Sequence, residues 1–301
     1  MRTSRAVPGA AFLVVILHAV VAWGEVTAYV VHVPTDTLYR LELEGGPLQA
    51  VADLDPETWI NSLAFDRSGS LLGYDVESNR LLDIDVDSGA TTVLGSFDLG
   101  FENVTGLAVD ACDRIYVTTF EQLTNEVALS RLRTLDPAGG LAPLVGELPK
   151  VLGPLAAQGE LLYSVSPLSF YRAGQDEVRL SRIDPRTLDV DDLDTGFLHY
   201  WAGGGLDFDS QGFLWSLGEV PPIGVPPPPQ PALRVNVATN EVVGFAGAYS
   251  FPIAIAPPGG LCGTGGGPQA IPAASTTGLL FLAASLALLG ALMVARRPRA
   301  A

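Results

Sequence analysis

Residues 61–94 read NSLAFDRSGSLLGYDVESNRLLDIDVDSGATTVL, and their pattern decides the fold. An apolar strand from Asn61 to Asp66 is followed, after Ser68 and Gly69, by a second from Ser70 to Tyr74. A third, Leu81 to Asp85, runs into Asp87, Ser88 and Gly89, and a fourth, Thr91 to Leu94, closes the unit. Alternating apolar and polar residues between Gly, Ser and Asp turns make antiparallel hairpins. The unit recurs. Leu63 has counterparts at Leu107, Leu155, Leu206 and Ile253, at spacings of 44, 48, 51 and 47 residues. Second strands follow at Arg114–Thr118, Glu160–Ser164 and Gly212–Ser216, and third strands at Leu132–Asp136, Leu180–Asp184 and Leu233–Asn236. Four antiparallel strands in a repeat of this length make a propeller blade.

The fifth unit has only its first strand, Phe251–Ala256. The three missing strands stand at the other end of the body: Thr27–Val31, Leu38–Glu42 and Leu48–Val51. Pairing the two ends removes sheet edges that would otherwise invite aggregation. The expectation is an all-β chain: a five-bladed β-propeller over residues 25–257, closed by its N- and C-terminal strands, with a six-bladed ring as the alternative.

Both ends read as targeting segments. Arg2 and Arg5 precede an apolar stretch from Ala11 to Ala22, and Ala22-Trp23-Gly24 offers small residues at the positions a signal peptidase tests. Residues 1–24 are expected to be a signal peptide, cleaved after Gly24; the alternative is an uncleaved anchor. Residues 258–270 are a linker rich in Gly and Pro. Residues 278–295 carry no charge, and an 18-residue helix at 1.5 Å per residue is about 27 Å long, enough to cross a bilayer. Arg296, Arg297 and Arg299 follow and fit a cytoplasmic end. The expected location is therefore outside the cell, at the envelope or surface, on a single C-terminal membrane anchor.

All 33 acidic residues lie between the two ends, against 12 basic ones, so the body carries a net −21. Such a field repels phosphate backbones and excludes nucleic acid as a partner. Two cysteines remain, Cys112 and Cys262, and in an exported chain such a pair suits a disulfide better than a metal site. Only His32 and His199 survive removal of the signal.

The loops entering each blade share one face with the loops between second and third strands. Three of the latter are long: Thr119–Ser130, Val165–Val178 and Leu217–Ala232. The last of these holds seven prolines between Val220 and Pro231, a polyproline segment that suits either a recognition arm or a stiff insertion. The same face is expected to receive Trp59, Phe101, Glu102, Tyr171, His199, Tyr200, Trp201 and Tyr249. Aromatic and polar side chains on long loops over a rigid scaffold suit ligand binding; the competing reading is that they pack blade junctions. No serine or cysteine nucleophile accompanies His199, and no catalytic residue is assigned. Asp83, Asp85 and Asp87 open like a calcium loop, but the sixth position is Ser88 rather than glycine. Strand and turn explain them better, and no metal ligand is assigned.

The tail, from Ile271-Pro272 through Gly278-Leu279-Leu280 to Arg296-Arg297, resembles bacterial C-terminal protein-sorting domains of the Ile-Pro-Thr-Leu type. Ala273 and Ala274 stand where that signature has Thr and Leu. The resemblance implies that a membrane-embedded transpeptidase of the exosortase kind cuts near the motif and passes the body to the surface; a plain anchor is the alternative. The repeat, best seen in residues 63–89, resembles that of bacterial exported propellers and implies a fold rather than an activity. Two further functional readings stand beside a binding module for a protein or polysaccharide. One is a structural envelope or matrix component. The other is a hydrolase, because gluconolactonase-like propellers hold calcium at the channel mouth with acidic and amide side chains, positions that Glu102, Asn61 and Asn103 would fill here.

Overall fold

The computed structural model describes residues 26–32, 35–43, 48–55, 57–123, 128–165, 179–193, 205–217, 232–245, 252–255 and 257. The signal segment, the linker, the sorting motif with Ile271, Pro272, Arg296 and Arg297, and the apolar run at 278–295 lie outside these residues. Among the described residues no helix is long and apolar enough to cross a membrane.

The first blade contains β1 (Thr27–His32), β2 (Thr37–Glu42) and β3 (Gln49–Asp53). Blade two holds β4 (Ile60–Phe65), β5 (Leu71–Asp75), β6 (Arg80–Ile84) and β7 (Thr91–Ser96). Blade three holds β8 (Asn103–Val109), β9 (Ile115–Gln122), β10 (Ala128–Leu135) and β11 (Leu144–Leu148). Blade four holds β12 (Leu155–Gln158), β13 (Leu161–Val165), β14 (Leu180–Asp184) and β15 (Asp189–Leu193). Blade five holds β16 (Gly205–Phe208), β17 (Leu214–Leu217), β18 (Ala232–Asn236) and β19 (Glu241–Phe245). The last strand, β20 (Ile253–Ala254), completes the first blade, whose order is β20-β1-β2-β3. It pairs antiparallel with β1 through Tyr29↔Ala254 and Val30↔Ile253. The innermost strands β4, β8, β12, β16 and β20 neighbour one another in turn and return to β4. The ring therefore closes at five blades by its two ends, as the repeat predicts, and the six-bladed alternative falls.

Five apolar cores hold the ring, one at each junction between blades. Ala64, Leu72, Tyr74 and Leu81 of blade two pack with Leu107, Val109, Val117 and Leu135 of blade three, and the other junctions repeat the scheme. Middle strands are covered on both faces, so β5 and β13 are buried throughout, while outer strands such as β7 are largely exposed. Two glycines on outer strands mark where the next blade's hairpin lands. A Cβ on Gly95 would meet Pro137 at 3.1 Å, and one on Gly146 would lie 2.0 Å from Leu188 Cδ1. Leu188 itself sits at φ +63°, a left-handed conformation more usual for glycine. Its side chain fills the space that Gly146 leaves open.

On the face reached by the C-terminal ends of the inner strands, acids close turns. Asp66 accepts the Ser70 N–H, Asp110 those of Cys112 and Arg114, and Asp209 those of Gln211 and Phe213. The outer hairpins do the same: Asp85 accepts the N–H groups of Asp87 and Ser88 and the Ser88 hydroxyl. The Asp83–Asp87 run is thus strand and turn, and Asp85 is spent on its own hairpin. Local capping of this kind is what Asx residues supply at turns.

One predicted loop is corrected. The segment Thr119–Ser130 is for the most part sheet: β9 runs on to Gln122 and β10 starts at Ala128, in register Ala128↔Gln122. The buried hydroxyls of Thr119 and Ser130 allow the extension, since Ser130 Oγ donates to the Thr119 carbonyl. Residues 166–178 and 218–231, with the polyproline run, lie outside the described residues.

Candidate binding face

The face at the N-terminal ends of the inner strands contains two loops built on one plan. Each presents an exposed aromatic side chain and fixes it with a buried carboxylate held by arginine.

In the loop leading to β4, Trp59 is 49 % exposed between buried Thr58 and Ile60. Its N–H donates to Asp75 Oδ1 at 3.1 Å, and its carbonyl accepts the Val76 N–H at 3.0 Å. Asp75 is fully buried. Its Oδ2 accepts Arg80 Nη2 at 2.8 Å and the Ser78 hydroxyl, and its Oδ1 also accepts the Glu77 N–H. Burial alone would raise its pKa. The hydrogen bonds from Ser78, Arg80 and Trp59 outweigh that and hold the carboxyl below the usual range.

In the loop leading to β8, Phe101 is 90 % exposed, while its neighbour Glu102 has a side chain only 7 % exposed. Glu102 Oε1 accepts Arg131 Nη1 at 2.9 Å and Arg133 Nη2 at 2.6 Å. Its Oε2 accepts Arg133 Nε at 2.8 Å and the Thr119 hydroxyl at 2.6 Å. Arg131 also reaches Glu121 at 2.8 Å and Glu147 at 3.8 Å. Here too burial pushes the Glu102 pKa up, and the bonds from Arg133 and Thr119 with the charge of both arginines bring it below the ordinary carboxylate range.

The axis offers less. The five equivalent residues Leu63, Leu107, Leu155, Leu206 and Ile253 line one axial pocket together and are all buried. That pocket, and the one nearer the opposite face where Pro257 sits, each have room for about one water molecule. The pocket among the five equivalent residues is mainly apolar, while Asp207 and Asp209 stand in the lining of the other.

Of the residues proposed from sequence, Trp59, Phe101 and Glu102 are brought to one face. Tyr171, His199, Tyr200, Trp201 and Tyr249 lie outside the described residues. Glu102 serves differently from the expectation: both oxygens are saturated by guanidinium and hydroxyl donors, so it anchors the loop rather than meeting a ligand. Asn61 is also engaged, its amide donating to the Val104 carbonyl at 2.6 Å. Glu102, with both oxygens taken, does not fit a calcium ion, and Asn61 Oδ1 accepts the Ser62 hydroxyl at 3.0 Å; among the described residues no three His, Cys, Asp or Glu side chains converge to hold a metal. Cys112 is disulfide-bonded; the other cysteine of the chain, Cys262, lies outside the described residues. Sequence reasoning missed Asp75, Arg80, Arg131 and Arg133. The i, i+2 spacing of Arg131 and Arg133 puts them on one face of a strand, and that is the signal that could have found them.

The fold defines a five-bladed β-propeller. No family model matches the chain, and no curated protein matches it. Solved structures are similar in fold. A chain of the nidogen/laminin complex is 14 % identical with a TM-score of 0.47, over 76 % of this chain and 98 % of that one. A gluconolactonase from Xanthomonas campestris is 16 % identical with a TM-score of 0.47, over 75 % of this chain and 78 % of that one. A calcium-binding protein, regucalcin, from Agrobacterium tumefaciens is 14 % identical with a TM-score of 0.47, over 75 % and 72 %. These likenesses concern architecture and carry nothing about ligand or activity.

Proposed function

We propose that the chain is an exported binding module, held at or sorted to the cell envelope by its C-terminal tail, that engages a protein or polysaccharide through the face carrying Trp59 and Phe101. One observation carries the reading: two large aromatic side chains are left in water on loops whose backbones are fixed by buried, arginine-held carboxylates. An exposed aromatic on a rigid mount loses little conformational entropy on binding and supplies a large contact surface. The tail supports envelope delivery through its Ile271-Pro272 start, its uncharged run and its Arg296-Arg297 end. A sorting transpeptidase is then its processing partner.

Mass spectrometry of the protein from its native envelope tests the sorting half. The expected mature chain begins at Glu25 and ends near Ile271; an intact C-terminus reduces the tail to a plain anchor. For the binding half, the full chain and its Trp59→Ala, Phe101→Ala double variant are compared on arrays of peptides and glycans. The double variant is expected to lose whatever the parent binds, and retention of every interaction would move the binding site elsewhere.

A further inference from the structure

The chemistry around the two aromatics names the class of partner. We infer that this face takes a cationic protein segment, with lysine or arginine side chains laid over Trp59 and Phe101 and their charged ends met by flanking carboxylates. The inference rests on the binding-module reading and narrows it.

Trp59 has exposed Asp55 and Glu57 just before it in the chain. Exposed Glu77 follows Val76, the residue hydrogen-bonded to its carbonyl. Phe101 has exposed Asp98 in its own turn, where one carboxylate oxygen accepts only the Gly100 N–H. Glu121, on the strand beside it, is already held by Arg131 at 2.8 Å and does not belong with them. The basic side chains of the same loops are consumed: Arg80 holds Asp75, and Arg131 and Arg133 hold Glu102. Among the described residues of these two loops, what faces solvent is negative, and the body behind carries a net −21.

This combination discriminates between ligands. Sugar rings also stack on aromatics and their hydroxyls can donate to carboxylates, but a neutral glycan makes no use of the negative charge of this face. An acidic segment is repelled. A lysine or arginine side chain gains twice, from the ring face and from the carboxylates. The acidic field additionally speeds encounter with a cationic partner in a salt-dependent way.

The test titrates the full chain with three fluorescent probes: a short peptide rich in lysine and arginine, its glutamate counterpart and a neutral oligosaccharide. Anisotropy is read at about 20 mM and about 150 mM salt, between which screening changes markedly. The expected result is binding of the cationic peptide alone, weakened about five- to tenfold by Trp59→Ala and again by Phe101→Ala. Glu57→Gln with Glu77→Gln is expected to weaken it by a similar factor at low salt and less at high salt. If the cationic peptide binds but the aromatic variants change nothing, the attraction is mere net charge and the inference falls. If the oligosaccharide binds through the same two aromatics and the cationic peptide does not, the inference falls while the binding-module reading stands. If no probe binds and the peptide and glycan arrays are also silent, both fall.

Discussion

The two faces of the ring use the same acidic composition in opposite ways. On the face where the inner strands end, carboxylates act within their own turns: Asp66, Asp110 and Asp209 each close the hairpin that follows them. On the face where the inner strands begin, Asp75 and Glu102 reach across sequence to other strands and are answered by Arg80, Arg131 and Arg133. The first arrangement recurs in three blades through backbone N–H groups, with Arg114 added at Asp110 and bridging on to Glu160 of the next blade. The second requires partners in register and occurs beside Trp59 and Phe101, the large exposed aromatics among the described residues. The lesson is that the turn-closing acids are spent on the scaffold and that the acids held by arginines in register mark where the molecule does something else.

Several substitutions sharpen that contrast. Glu102→Ala leaves Arg131 and Arg133 short of their shared partner in a largely buried setting and is expected to cost about 3–5 kcal/mol of stability in denaturant unfolding. Asp209→Ala, on the other face, strands the N–H groups of Gln211 and Phe213 and the Nε1–H of buried Trp215. A loss of about 2–3 kcal/mol is expected from those unsatisfied donors. A larger effect for Asp209 than for Glu102 would reverse the comparison.

Acidification offers a second view. Asp75 and Glu102 have folded pKa values depressed below the ordinary ones, which are about 3.9 for Asp and about 4.3 for Glu. Their contribution is therefore complete above those values and is lost as pH falls through the folded ones. The melting temperature should be level from neutrality to about pH 5 and decline below about pH 4, with a shallower decline in Glu102→Gln. Asp85→Ala, at an exposed hairpin, should lower the melting temperature less than Asp209→Ala. Smallest of all, Trp59→Ala and Phe101→Ala should each change stability by no more than about 0.5 kcal/mol, as surface substitutions do. A cost well above that would mean that the rings pack the scaffold instead of waiting for a ligand.

Much of the scaffold is legible in the sequence for a physical reason. Leu63, Leu107, Leu155, Leu206 and Ile253 recur because five inner strands must meet on one axis, and Asp66, Asp110 and Asp209 recur because each closes an equivalent turn. Such constraints are local and periodic. Gly95 and Gly146 are intelligible only once the next blade's hairpin is seen to rest on them. The candidate site was legible in part. Trp59 and Phe101 announce themselves as aromatic residues in loops, but Glu102 reads as a ligand-facing acid until Arg131 and Arg133 are placed around it. That pairing joins residues about thirty positions apart through strand register, which no local pattern encodes. The segment Thr119–Ser130 differs for a related reason: its polar residues resemble a loop, yet the Ser130 hydroxyl donates to the Thr119 carbonyl and the Thr119 hydroxyl to Glu102 inside the sheet.

Among the described residues the shortest strand, β20, is also the one nearest the tail. Because β20 meets β1 through only two residue pairs, and Pro257 then lies at the mouth of the axis among blades two to five, tension carried past Pro257 by the backbone alone would be delivered to the hub of the wheel instead of its rim. A tether on the outermost strand would peel one blade at a time. With Cys262 as the disulfide partner of Cys112, a pull from an anchored tail would bear first on the turn between β8 and β9 and spare the seam that shuts the circle.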